Sequence, residues 1–130
     1  MAPIGARLPR EVDNMTFGDA IEAMKDGAYV ARLGWNGKNQ FIYMEYGISI
    51  EIGSFRGKAQ KAFIYRARLN NEVLKKDTEI TINPHIDMIT ADNRLVCGWL
   101  ASQTDMIATD WYVIGMENRE TIPGECHDKD

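Results

Sequence analysis

Thr16 stands three residues before Asp19 at the head of an apolar stripe, Phe17, Ala20, Ile21 and Met24, spaced i, i+3, i+4 and i+7. That spacing puts all four side chains on one face of an α-helix. Thr-x-x-Asp is the spacing of a capping box, with Asp in the usual Glu position. Gly27 ends the pattern, since glycine tolerates the left-handed backbone that closes a helix. Beyond Gly27 the helical period gives way to short runs suited to strands. Tyr29–Arg32 is the first. Gln40–Tyr46 alternates, with Ile42, Met44 and Tyr46 on one face and Phe41, Tyr43 and Glu45 on the other. Ile48–Ile52 extends or follows it, and Lys61–Leu69 and Thr78–Ile82 are rich in β-branched and aromatic residues. Pro84 breaks the chain, and His85–Thr90 with Arg94–Val96 reads as a hairpin around Ala91-Asp92-Asn93. Ser102 and Asp105 repeat the capping spacing before a short helix over Gln103–Ala108, and Trp111–Ile114 closes the chain as a strand. The expected class is α+β: an N-terminal helix, a mostly antiparallel sheet, a short C-terminal helix and a closing strand.

At 130 residues the chain fits one domain with its own core. Residues 1–14, with two prolines and mixed charge, are expected to be a flexible arm, 15–115 the domain, and 116–130 an acidic flexible tail. Net charge is −4, which argues against adhesion to DNA or RNA polymers. Cys97 and Cys126 offer neither a disulfide framework nor a metal set and read as free thiols of a reducing compartment. Cys97 lies in an apolar run, where cysteine is usually inert core. No apolar run approaches the ~20 residues of a membrane span. The N-terminus lacks a signal-peptide core, so a cytoplasmic location is expected.

Catalytic candidates are few. His127 lies in the tail, and His85 follows a proline at a strand start. No Cys-x-x-Cys, His-Glu-x-x-His, phosphate-binding glycine loop or Gly-x-Ser-x-Gly elbow occurs. Ser102 is better explained as a helix cap than as a nucleophile. No catalytic residue, metal or cofactor is therefore assigned.

Recognition chemistry is richer. Trp35 lies in the turn Gly34-Trp35-Asn36-Gly37. Its ring could stack on a nucleobase, worth ~1–3 kcal/mol, or fold back to plug the end of the sheet. Asn36 could read a base edge or ribose, or simply shape the turn. Trp99 to Asp105 offers a helix start with Ser102, Gln103 and Thr104, suited to phosphate, and Asp105, suited to ribose hydroxyls. The same residues also make a plain cap with Trp99 in the core. From Ile52 to Asn71 the chain carries Arg56, Lys58, Lys61, Arg66 and Arg68 and no acid, interleaved with Phe55, Phe63 and Tyr65. That mixture suits an anionic ligand containing a base, or a solvated basic face.

The order Met15-Thr16-Phe17-Gly18-Asp19-Ala20, Val30 to Lys38, Thr90-Ala91-Asp92, Trp99 to Met106 and Asp110-Trp111 resembles the Thoeris anti-defense 2 family of phage and prophage proteins. The resemblance spans Met15 to Ile114. It implies a molecular sponge that sequesters the immune signal glycocyclic ADP-ribose without cleaving it. It also implies a homotetramer with pockets between protomers and, in some members, separate sites for the cyclic oligonucleotides of CBASS defence. Trp35, Asn36, Trp99, Ser102, Thr104 and Asp105 are the matching ligand positions. The chain departs from the family pattern twice. Its middle segment is longer than in compact relatives, with a basic insertion at about 52–76. Leu95-Val96-Cys97-Gly98-Trp99 replaces a simpler Leu-Val-Pro-Trp. Arg56, Lys58, Arg66 and Arg68 are second-site candidates for cyclic di- or trinucleotides. Two other readings stay open: a hydrolase of the same nucleotide with His85 and Asp87 as its acid–base pair, and a protein-interaction module.

Overall fold

The computed structural model describes residues 14–35 and 39–118. The arm at 1–14 and the tail at 116–130 fall almost wholly outside these residues, and Asn36, Lys38, Cys126 and His127 lie outside them altogether. The described chain is α+β and divides into two compact units. Glu45–His85 forms one, and the stretches before and after it form the other.

The larger unit begins with α1 (Phe17–Lys25). Its capping box is complete: the Thr16 hydroxyl accepts from the Asp19 N–H, and the Asp19 carboxylate accepts from the Thr16 N–H, both at 3.0 Å. Gly27, at φ 97°, turns the chain out of the helix and donates to the Met24 carbonyl. Its carbonyl accepts the Glu117 N–H at 2.8 Å. A Cβ on Gly27 would meet the Glu117 side chain at 3.1 Å, so glycine answers both a backbone and a packing demand there.

Strands β1 (Ala28–Arg32), β2 (Phe41–Glu45), β5 (His85–Ile89), β6 (Leu95–Val96) and β7 (Trp111–Met116) form a sheet in the order β6-β5-β2-β1-β7. β1 pairs antiparallel with β2 and with β7, and β5 with β6. A register shift at Tyr29/Val30 lets β7 bulge past β1 before Val113 pairs with Val30 and Trp111 with Arg32. The closing strand runs two residues further than Ile114, into the expected tail. α1 packs on β1 and β7 and touches α3 (Gln103–Ile107). Ala20, Met24, Val30, Ile42 and Trp111 are fully buried between these elements, with Phe17, Ile21, Trp35 and Trp99 packed around them. Ile42 turns inward as the alternation required, and Met44 packs against the same core.

The smaller unit holds the antiparallel pair β3 (Ile48–Glu51) and β4 (Glu79–Ile82), a short 3₁₀ turn at Ile52–Ser54, and α2 (Lys58–Leu69). The helix corrects the strand expected over Lys61–Leu69. Phe63-Ile64-Tyr65 looks β-prone, but Lys, Ala, Gln, Arg and Leu around it are strong helix formers. Gln60, Phe63 and Ala67 also fall on one face, and Ala67 is buried. Asn71 closes the helix at φ 59°, with its N–H on Arg68 and the Glu72 N–H on Ala67 at 2.8 Å, a Schellman pattern. Cys97 is a second correction. It is exposed, because Leu95 and Val96 belong to a two-residue edge strand rather than to the core.

Candidate functional site

Three chain segments converge at one end of β1. Arg32, the last residue of β1, points its guanidinium at two acids. Nη1 donates to Asp105 Oδ1 and Nε to Asp110 Oδ1, each at 2.8 Å. Arg32 and Asp105 are nearly buried as side chains (14% and 13% exposed), and Asp110 is half-buried at 30%. The next residues are stitched to the same acid: the Gly34 N–H donates to Asp110 Oδ2 at 2.9 Å, and the Leu33 N–H to the Asp110 carbonyl at 3.1 Å. A Cβ on Gly34 would sit 3.0 Å from Asp110 Oδ2 and 3.2 Å from Arg32 Nη2. Glycine opens this turn because the backbone has to reach the carboxylate.

That turn delivers Trp35. Its indole Nε1–H donates to Asp105 Oδ1 at 3.3 Å, and its ring meets Trp99 at 6.1 Å and Trp111 at 5.3 Å, both edge to face. Trp99 and Trp111 meet at 6.4 Å and 81°. Phe17 of α1 completes the cluster, 5.3 Å from Trp111. Such ring pairs add ~0.5–1.5 kcal/mol each beyond their burial. Trp111 is fully buried and donates its Nε1–H to the Asp105 carbonyl at 2.9 Å, whereas Trp35 and Trp99 keep part of their surface open. The two tryptophans are thus both core packing and available ring.

Asp105 ties the cluster to α3. Ser102 Oγ accepts its N–H at 3.0 Å, and Asp105 Oδ2 accepts the Ser102 N–H at 3.1 Å, the capping box expected from the spacing. A carboxylate has about four acceptor positions, and three on Asp105 are occupied by Arg32, Trp35 and Ser102. Burial works against its ionisation, but hydrogen bonds from Arg32, Ser102 and Trp35 outweigh it and hold the carboxyl below its usual range. The Asp110 carboxyl is held low chiefly by the Arg32 hydrogen bond, against burial, with the Gly34 N–H and the Arg32 charge helping. Those two carboxylates raise Arg32 further, again against burial.

Beside this network lies a cleft of about 530 Å³, lined by Arg32, Gln103, Thr104, Ile107, Ala108 and Thr109. That volume lies within the roughly 300–1,000 Å³ range of small-molecule sites, but the groove is wide open to solvent rather than enclosed. Of the ligand positions named from the sequence, Thr104 lines the cleft, Asp105 braces its Arg32 wall, and Trp35, Trp99 and Ser102 belong to the adjoining network. Asn36 lies outside the described residues. Arg32, Asp110 and Trp111 stand in the family motif but are not named there as ligand positions, and Thr109 is not named at all. Arg32 had left a trace: it is the lone cation ending an otherwise apolar strand.

Other candidates are placed differently. Asp87 is buried, with Oδ1 accepting the Gly98 N–H at 2.8 Å, and His85 Nδ1 lies 2.8 Å from the Asn83 carbonyl. Among the described residues no group of three or more His, Cys, Asp or Glu is placed to hold a metal ion. Arg56, Lys58, Arg66 and Arg68 are exposed in the smaller unit. Arg66 lines a groove of about 190 Å³ with Ala62 and Phe63, and Arg68 lines another of about 260 Å³ with Ile64, Glu72, Val73 and Leu74.

Residues 15–114 match the family model described as the Thoeris anti-defense 2-like domain. The chain is also similar to "Thoeris anti-defense 2" of Bacillus phage SP01, with 34% identity over 100 residues that cover 77% of this chain and 94% of that protein.

Proposed function

The chain belongs to the Thoeris anti-defense 2 family, and on that premise we propose that it is a sponge for a cyclic nucleotide immune signal, glycocyclic ADP-ribose, which it binds and does not cleave. A phage anti-defense role is what the family supports. The observation that carries the finer reading is the half-open Trp35–Trp99 pair joined through Asp105 and Arg32 to the Thr104-lined cleft. Ring surface suits an adenine. Hydroxyls, an amide and a fixed guanidinium suit riboses and their links. Ligand contacts are assigned to Trp35, Asn36, Trp99, Ser102, Thr104 and Asp105. Nanomolar capture corresponds to about −12 kcal/mol, within reach of stacking plus several hydrogen bonds in a preformed site.

We place this pocket at a seam of a homotetramer. Ile107, which lines the cleft, is 75% exposed, and Leu100 nearby in sequence is 88% exposed. A second protomer would cover such apolar surface and enclose the ligand. The site of action is the bacterial cytoplasm. Among the described residues no helix is long and apolar enough to cross a membrane.

Mixing the protein with glycocyclic ADP-ribose, heating and recovering the ligand tests the reading. Intact ligand after tight binding supports a sponge. Degraded ligand favours a hydrolase, with His85 and Asp87 the first residues to replace. No nucleotide-induced stabilisation favours a protein-interaction module.

A second site for CBASS cyclic di- or trinucleotides remains part of the proposal, on Arg56, Lys58, Arg66 and Arg68. The helix reshapes it. Residues two apart on a helix point about 200° away from each other, so Arg66 and Arg68 serve different grooves, as their separate linings indicate.

A further inference from the structure

We infer that Asp87 is a positioning residue for ligand capture: its carboxyl group pins the turn at Gly98 and so sets Trp99 on the ring cluster. The inference rests on the nucleotide-binding reading of Trp99 and adds what holds that ring in place.

Asp87 is 3% exposed in β5, between Ile86 and Met88, which both pack in the core. A polar side chain buried so deeply is costly without hydrogen-bond partners. Its Oδ1 accepts the Gly98 N–H at 2.8 Å. That bond does nothing for the backbone ladder of β5. It reaches the loop that follows β6.

The loop slips by one residue. β6 pairs with β5 at Ile89↔Leu95 and Met88↔Val96. Each step back along β5 is one step forward along β6, so the same register would set Gly98 opposite Ile86. Instead the Trp99 N–H donates to the Ile86 carbonyl, at 2.7 Å. The extra residue is taken up at Gly98, whose φ of 72° is left-handed. A slip of one residue exchanges the two faces of a strand. Without it, Trp99 would share the face of Asp87. With it, Trp99 shares the face of Ile86 and Met88 and meets Phe17 and Trp111, each at 6.4 Å.

Two bonds from β5 hold the slip. The Ile86 carbonyl is backbone and present in any sequence. The Asp87 acceptor is the part that this sequence supplies. Crowding plays no role at the turn, because a Cβ on Gly98 would meet nothing within 4 Å.

Two pairs of variants test this in the full chain. Asp87→Asn keeps an oxygen acceptor for the Gly98 N–H, and Asp87→Leu removes it at similar size. Gly98→Asn tolerates the left-handed backbone, as Asn71 and Asn93 do, whereas Gly98→Val does not. Nuclear Overhauser contacts between Trp99 and Phe17 are expected to vanish in Asp87→Leu and Gly98→Val. Those between Phe17 and Trp111, 5.3 Å apart, are expected to persist. Affinity for glycocyclic ADP-ribose is expected to fall about ten-fold in the same two variants, the scale of one lost base stack. Both asparagine variants are expected to keep the contacts and the affinity. Trp99–Phe17 contacts retained in Asp87→Leu overturn the inference, and so does full affinity with the ring displaced. Should Asp87→Leu fail to fold, the Gly98 pair decides, and equal affinity in its two members overturns the inference. Absence of glycocyclic ADP-ribose binding by the parent chain would sink the sponge reading instead, while the Trp99–Phe17 contacts still decide what Asp87 positions.

Discussion

Arg32 shows how much one side chain can organise. It spans Asp105 within α3 and Asp110 just beyond it, and through them it also fixes Trp35 and the Gly34 turn. Arg32→Ala would leave both carboxylates together without their cation. A fully buried pair loses about 3–5 kcal/mol when broken. Partial exposure lowers the expectation here to about 2–3 kcal/mol, measured by urea unfolding, with loss of the near-UV signal of the packed indoles. A pH dependence follows from the same contacts. Both carboxyls are held lower in the folded chain than in the unfolded one. Their stabilisation is therefore fully present above the ordinary Asp value of about 3.9, and is lost as pH falls below it through the depressed values. Thermal melts from pH 7 down to pH 2 should show that loss, and Asp110→Asn should flatten it. An equal acid slope in that variant would mean the sensitivity lies elsewhere.

The elements differ in how local their causes are. α1 and α3 carry complete capping boxes, and in both the residues three apart in sequence make the bonds the spacing promised. α2 reads as a strand in sequence because its three central apolar residues, Phe63, Ile64 and Tyr65, mask the helix formers around them. The decisive pattern was Gln60, Phe63 and Ala67 turning to one side. The helical geometry also changes a prediction. A ligand on the basic insertion would meet Arg66 or Arg68 in one groove, with Arg56 or Lys58 as an outlying charge. Calorimetry with a panel of cyclic di- and trinucleotides should show binding that falls at least ten-fold when Arg56, Arg66 and Arg68 are all replaced by Ala. Binding left intact by the triple variant would remove the second site from the proposal.

For the whole molecule, the sponge reading makes a thermodynamic demand. A ligand at 100 times its dissociation constant adds about 2.7 kcal/mol of stability, which in a chain of this size raises the melting temperature by roughly 10 °C. A screen of cyclic ADP-ribose isomers should single out the one that does so. Sedimentation of the free protein should give a tetramer. A stable monomer with the same ligand affinity would place the complete pocket within one chain.

The sequence by itself determined the local structure that depends on neighbours a few residues apart. Both capping boxes, the Phe17–Met24 stripe, the alternation of β2 and the Thr90–Arg94 turn follow from such short-range physics. It also carried the family motif. Residues far apart along the chain were beyond its reach. Arg32 is 73 residues from Asp105 and 78 from Asp110, and only the register of β1 against β7 brings Arg32 opposite Trp111 and so within range of both acids. Trp35 and Trp99 could not be divided between core and ligand from sequence, because both uses favour a large aromatic ring. Tertiary packing buries both only in part, against Phe17 and Trp111, and leaves ring surface of each open. It also set Arg32, the one cation among the described residues that line the cleft, between two anions, an arrangement that no local pattern of residues encodes.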